Sequence, residues 1–192
     1  MQPAIDMSET PPARRGRLPL VLMLVMVIGP MVLATAMYQW RFWVPQERTY
    51  HGVLIGNGQS RADLGIEGVA DVGWQLLVTA PDGCRGECRQ LVYLARQLNI
   101  GLGREASRAS HALATAGPLD ADYEAQLRRE YPQLGIHSLD LQRYARSVTP
   151  THEAQLWIVD PLGNLVLRYD SSTPGKAILQ DLRLLLKLSR IG

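Results

Sequence analysis

The chain has 192 residues, 46% of them apolar, and a formal net charge of +2, which leaves room for one compact domain and a short appendage. So small a charge, with no basic block interleaved with aromatics, argues against nucleic acid as a partner. Two cysteines are too few for a disulfide scaffold and suit one redox pair or part of one metal site.

In chain order, residues 1–17 are polar and end in Arg14, Arg15 and Arg17; they read as a cytoplasmic tail. From Leu18 to Gln39 no residue is charged. A bilayer needs about 20 apolar residues, so residues 18–40 are expected to be a transmembrane anchor. Gly29-Pro30 is tolerated inside such a helix. Tyr38, Trp40, Phe42 and Trp43 follow as an interfacial aromatic belt, and the three arginines ahead of the span keep the N-terminus cytoplasmic. The rival reading is a cleaved signal peptide, because Ala34-Thr35-Ala36 has the small-x-small form. The length of the run and the aromatic belt favour the anchor. In either case the remainder is exported, to a bacterial periplasm, where thiols oxidise.

Residues 41–70 read as a linker with one short strand near 52–55, and residues 71–192 as the exported domain. Residues 74–80, WQLLVTA, predict a strand buried on both faces. The next helix carries apolar residues at 91, 94, 95 and 98, the spacing of one packed face. A weak strand over 111–116 ends at Gly117-Pro118. Asp120 then caps a helix that Pro132 stops. A short strand is expected near 135–139. Residues 154–159 and 165–169 form a hairpin around Asp160-Pro161-Leu162-Gly163-Asn164. Ser172 or Thr173 caps a last helix with Pro174 at its first position, burying Ile178, Leu179, Leu182, Leu185 and Leu186. This order predicts an α/β sandwich with a central mixed sheet flanked by helices. A strand, a cysteine turn, a helix and a terminal hairpin-helix together describe a thioredoxin-like domain.

Both cysteines lie in the strand-to-helix stretch Pro81-Asp82-Gly83-Cys84-Arg85-Gly86-Glu87-Cys88. Residues four apart in a regular helix have Cβ atoms about 5–6 Å apart, whereas a disulfide wants about 3.8 Å. Closure therefore requires Cys84 to lie in the turn, where Gly83 and Gly86 give freedom. The helix N-terminus and Arg85 should lower the thiol pKa, and Glu87 should oppose them. The plainer alternative is a static disulfide or two packed thiols. Structural zinc is disfavoured, since it wants four closed ligands.

His152 stands just ahead of the strand at 154–159, eight residues before Asp160. In a thioredoxin-like fold that strand runs beside the one leading to the cysteines, so His152 is expected to face the turn. Two thiolates and an imidazole suit copper as Cu(I) or Cu(II). The metal-site candidates are thus Cys84, Cys88 and His152, and the redox pair is Cys84 with Cys88. His51, His111 and His137 read as surface residues. Gly101-Leu102-Gly103 follows a helix and reads as its C-cap, not as a nucleotide loop. Thr149-Pro150-Thr151 is similar to the proline loop that faces the thiols in thioredoxins, although an ordinary turn reads as well.

The CxxxC turn paired with a histidine ahead of LWIVDPLGNLVLRY resembles the Sco/SenC family, membrane-anchored copper proteins that help load the copper centre of cytochrome c oxidase. The resemblance spans about residues 20–190 and is that of a divergent branch. It implies that Cys84, Cys88 and His152 stand at the family's copper-ligand positions, with an oxidase subunit or another periplasmic thiol or copper protein as partner. The departures are specific. Arg85 and Arg89 occupy positions where the family has prolines, Thr151 precedes the histidine in place of Asp, and Glu153 follows it. The alternative function is a periplasmic thiol–disulfide oxidoreductase without metal, or a scaffold with a structural disulfide.

Overall fold

The strand and helix signals are met in order along the chain. The structure, a computed structural model, describes residues 17–40, 50–67, 73–148 and 152–189. The chain divides into two units, Met1–Glu47 and Arg48–Gly192. The first holds helix α1, Arg17–Trp40, with Pro30 inside it. Its stretch Pro19–Met37 is long and apolar enough to cross a membrane, and Leu20 to Leu33 present their apolar side chains outward. The aromatic belt and the leading arginines lie outside the residues whose side chains are described.

The second unit is built on a six-stranded mixed sheet, β1 (Val53–Leu54), β2 (Trp74–Ala80), β3 (Ala109–Thr115), β4 (Gly135–Ser138), β5 (Gln155–Val159) and β6 (Leu165–Tyr169), in the order β1-β6-β5-β2-β3-β4. Strand β2 pairs in parallel with β3 and antiparallel with β5. All seven of its residues are buried, as its unbroken apolar run implied. Side chains alternate across a strand, so β2 feeds two cores. Trp74, Leu76, Val78 and Ala80 meet α2 (Glu87–Gly101), α3 (Ala121–Glu130) and α5 (Gly175–Leu188) on one face. On the other face Leu77 meets Tyr144 of α4 (Leu141–Ser147), Trp157, Leu64 and Ile66. The thioredoxin-like architecture expected from the sequence is the one observed, and residues 50–67 pack against it through Leu64 and Ile66.

Local chemistry accounts for most boundaries. Asp120 caps α3 by accepting from the Asp122 and Tyr123 amides, as expected. Asp160 closes the β5–β6 hairpin by accepting from the Leu162 and Asn164 amides. The structure adds to the sequence reading at three points. Helix α2 begins at Glu87, so Cys88 lies in its first turn. Helix α4 was not foreseen, although Asp140 caps it through the Gln142 and Arg143 amides. Helix α5 takes no side-chain cap from Ser172 or Thr173. Pro174 is its N-cap residue, and both hydroxyls turn back to Asp170.

Two histidines read as surface residues do structural work. His51 Nδ1 lies 2.8 Å from an Asp181 carboxylate oxygen. The same carboxylate accepts from the His51 amide at 2.7 Å and the Tyr169 hydroxyl at 2.8 Å. Asp181 is itself buried in α5, so these donors are what make the buried carboxylate tolerable. His111 on β3 is only 5% exposed, and its Nε2 has no hydrogen-bond partner. Burial first, and then the Arg96 guanidinium, push its pKa below the ordinary value. The folded chain therefore holds the ring neutral while the unfolded chain protonates it near pH 6.5. Stability from this residue is complete above about pH 6.5 and is lost as pH falls below it, until the folded ring also takes a proton. Denaturant unfolding across that window should show the wild-type slope flattened in His111→Leu by up to about 1.4 kcal/mol per pH unit. An unchanged slope would show that the ring titrates alike in both states.

Candidate functional site

Strand β2 ends at Ala80, and the chain must turn there to enter α2. The turn is made by two glycines in left-handed backbone, Gly83 at φ 85° and Gly86 at φ 40°, a conformation other residues adopt at a cost. Beyond the adjoining residues, no atom lies within 4 Å of where a Cβ would sit at either position, so it is the backbone conformation, not crowding, that selects glycine. The twist brings the cysteines together, with Cys84 in the turn, Cys88 in the first helical turn, and a disulfide joining them over a Cα–Cα distance of 5.0 Å. This is the arrangement that the four-residue spacing required.

The two sulfurs are not equivalent. Cys88 is 1% exposed and Cys84 6%, and Cys84 lines an open groove of about 540 Å³ between residues 81–85 and residues 116–120, with Leu141 at its edge. Two arginines adjoin the cysteines, and both are exposed. Arg89 lies with its guanidinium carbon 4.2 Å from the centroid of the Tyr123 ring and its Nε–H donating to the Cys84 carbonyl at 3.5 Å. Burial pushes the Tyr123 hydroxyl up to about 12, so this ring is neutral at physiological pH.

His152 lies where the topology puts it. Because β5 runs antiparallel to β2 with Gln155 opposite Thr79, a residue just before β5 sits beside the end of β2. Its Nδ1 is 3.1 Å from an Asp82 carboxylate oxygen, and both side chains are mostly exposed. The structure thus brings Cys84 and Cys88 together and places His152 on Asp82, two residues before the first sulfur. Among the described residues, no three His, Cys, Asp or Glu side chains form a group that could hold a metal ion. With both sulfurs sharing a bond and the imidazole paired with a carboxylate, the oxidised turn does not fit copper. The proline loop at 149–151 lies outside the described residues. Asp82 and Arg89 are the site residues that sequence reasoning missed. The signal for Asp82 was its place in the turn, whereas nothing local ties Arg89 to Tyr123, 34 residues away.

A family model described as transmembrane-like, thioredoxin-like, C-terminal domain matches residues 74–189, and one described as transmembrane-like, N-terminal domain matches residues 11–41. The chain belongs to this family. No curated protein matches it. Solved structures similar to it include Arabidopsis thaliana ScoI with copper bound, at 10% identity and a TM-score of 0.49 over 62% of this chain and 86% of that one. Yeast Sco1 with copper bound is similar at 13% identity and a TM-score of 0.48, over 61% and 80%. So is the thioredoxin domain of a Bacteroides vulgatus thiol-disulfide oxidoreductase, at 12% identity and 0.45, over 59% and 79%. Sco proteins, which the sequence resembles, thus stand among its structural neighbours.

The difference in surroundings makes Cys84 the outward sulfur of the pair. In the reduced chain, brief treatment with iodoacetamide followed by peptide mass spectrometry should label Cys84 at least about tenfold faster than Cys88, since access and thiolate character set the rate. Equal labelling would show that the groove gives no preference.

Proposed function

We propose that the chain is a membrane-anchored thiol–disulfide factor whose Cys84–Cys88 pair exchanges electrons with the cysteines of a periplasmic partner. The observation that carries this reading is the disulfide on a glycine turn at the end of β2, with one sulfur lining a groove. A purely structural staple is a weaker account. Closing so short a loop stabilises by about 2 kcal/mol, against about 4.7 for a 100-residue loop, and both ends of this one are already held by β2 and α2.

In the productive direction, the Cys84 thiolate attacks a partner disulfide and forms a mixed disulfide, and one partner thiolate leaves. Cys88 loses its proton to solvent and attacks Cys84, releasing the second partner sulfur and leaving the intramolecular bond seen in the structure. Two electrons pass to the partner, and an external dithiol resets the pair. The anchor, with Arg14, Arg15 and Arg17 ahead of it, supports a single-pass inner-membrane protein with a cytoplasmic N-terminus and a periplasmic domain. The Sco/SenC resemblance supports a partner at the copper centre of cytochrome c oxidase. The pair should equilibrate with a glutathione buffer at a potential above about −300 mV. A value below that, in the range of structural disulfides, would leave only the staple.

A second reading keeps copper as cargo, because the β2–β5 register sets His152 beside the cysteine turn. Reduction frees two thiolates, a soft set suited to Cu(I), and His152 would be the third ligand once it leaves Asp82. The reduced full chain in detergent should then bind Cu(I) competitively against a chelator, and His152→Ala should weaken binding about tenfold or more. No uptake by the reduced chain, or an unchanged affinity in the variant, would remove His152 and leave the dithiol alone.

A further inference from the structure

A second cavity lies at the far end of α2 from the cysteines. It is about 260 Å³ and is lined by Arg96 and Ile100 of α2, His111 of β3, and Tyr131 and Pro132 beyond α3. None of these residues lines the groove beside Cys84. A helix rises about 1.5 Å per residue, which sets Asn99 about 16 Å along the axis from Cys88. Two polar groups at this cavity have no partner in the chain. His111 is only 5% exposed, and its buried Nε2 takes part in no hydrogen bond. Such an atom is costly unless something meets it. Arg96 is half-buried, with its guanidinium carbon 5.1 Å from the centroid of the Tyr131 ring. Among the described residues it forms neither an ion pair nor a hydrogen bond. The wall that carries it is fixed, because Asn99 Nδ2 donates to the Ala106 carbonyl at 3.1 Å and to the Ala109 carbonyl at 2.6 Å. These bonds tie the end of α2 to the start of β3.

We propose that this cavity binds a small monocarboxylate: the Arg96 guanidinium and the His111 Nε2–H donate to its oxygens, and its hydrocarbon body rests against Tyr131, Ile100 and Pro132. A guanidinium presents a planar fork of donors that matches a carboxylate. A neutral imidazole carries its one proton on either nitrogen, and an acceptor in the cavity selects Nε2. One negative charge is favoured over two, because Glu130 stands at the same cavity. Its carboxylate is already held by the Gln126 amide at 3.1 Å and the Arg129 guanidinium at 3.0 Å. It therefore leaves Arg96 to the ligand, yet it repels a dianion such as phosphate. The volume falls just below that of drug-sized sites, which limits the ligand to a short chain or a single ring. The site does not depend on the thiol-exchange reading.

The test uses the full chain in a neutral detergent, titrated with sodium butyrate, with butyramide and inorganic phosphate as comparison probes. Binding is read by calorimetry and by the NMR signals of the His111 ring nitrogens, which a role confined to folding would not move. Butyrate should saturate one site with a Kd of about 1 mM, in keeping with so few ligand atoms, and should shift the Nε2 signal. Butyramide and phosphate should each bind at least about tenfold more weakly. Arg96→Gln should weaken butyrate about tenfold or more, and His111→Leu by a similar factor. Tyr131→Leu should weaken it about threefold by removing the surface under the guanidinium. Arg128→Gln, on the exposed side of α3 and paired with Glu124, should leave the affinity unchanged. Thermal unfolding of each variant separates lost binding from lost folding, and Arg96→Gln, at a half-buried position, keeps the test decisive where His111→Leu does not fold. No saturation by about 50 mM butyrate, an affinity that Arg96→Gln leaves in place, or equal binding of butyramide overturns the proposal. Phosphate binding as tightly as butyrate overturns it too, since the site would then hold any anion.

Discussion

Strand β2 has a hydrogen-bonded neighbour along each edge and a core on each face, and the other features of the site follow from that confinement. A strand so placed cannot bend or slip, because a shift of one residue would exchange its two sets of buried side chains. It ends where its ladders end. The parallel pairing reaches Ala80 opposite Thr115, and the antiparallel one reaches Thr79 opposite Gln155. The cysteine turn begins at the next residue and inherits a fixed position at the carboxyl edge of the sheet, which is where open α/β sheets put their sites. The turn after β3, which forms the other wall of the groove, is set by the same edge.

The second face of β2 carries a polar contact that a purely apolar strand would lack. The Thr79 hydroxyl accepts from the Trp157 ring nitrogen at 2.9 Å and lies 3.2 Å from the Tyr144 hydroxyl. All three groups are buried, so each depends on the others to meet its hydrogen-bonding needs. This ties α4, through Tyr144, to the last turn of the strand that delivers the cysteines. A comparable device closes the opposite side of the domain. Asp181 gathers the Tyr169 hydroxyl with the backbone of His51 and Gly52, joining the start of the domain to its last helix. Removing the carboxylate would leave several donors unpaired, each at a cost of about 1–3 kcal/mol.

The electrostatics of the site separate its two candidate chemistries. Thiol exchange needs a sulfur that a partner can approach and a second sulfur behind it; Cys84 lines the groove, and Cys88 is buried in the first turn of α2. Metal transfer needs a third ligand, and the candidate imidazole is engaged with Asp82 on the solvent side of the turn. The exposed pairing between His152 and Asp82 is worth little in stability, so the imidazole is held loosely. Exchange uses the turn as it stands, whereas copper requires the turn to open and the ring to move.

Much of the fold was legible because its signals are local. The apolar run at 74–80, the Asp120 cap, the hairpin residues 160–164 and the spacing of Ile178, Leu182, Leu185 and Leu186 each specify an element through neighbours a few residues away. The cysteine spacing, with glycine on both sides, already demanded a bond made across a turn. Helix α4 was missed because its seven residues bury only Tyr144, too little to show a periodic face. His111 was misread because its environment comes from the α2 side of the sheet, and the contact that the exposed His51 makes with Asp181 comes from α5. Sequence alone therefore determined that a dithiol sits between a buried strand and a helix, behind a segment able to cross a membrane. Only the tertiary structure decided that Arg89 rests on the Tyr123 ring and what the imidazole at 152 touches, since charge and hydrogen bonding act through space between elements that are far apart along the chain.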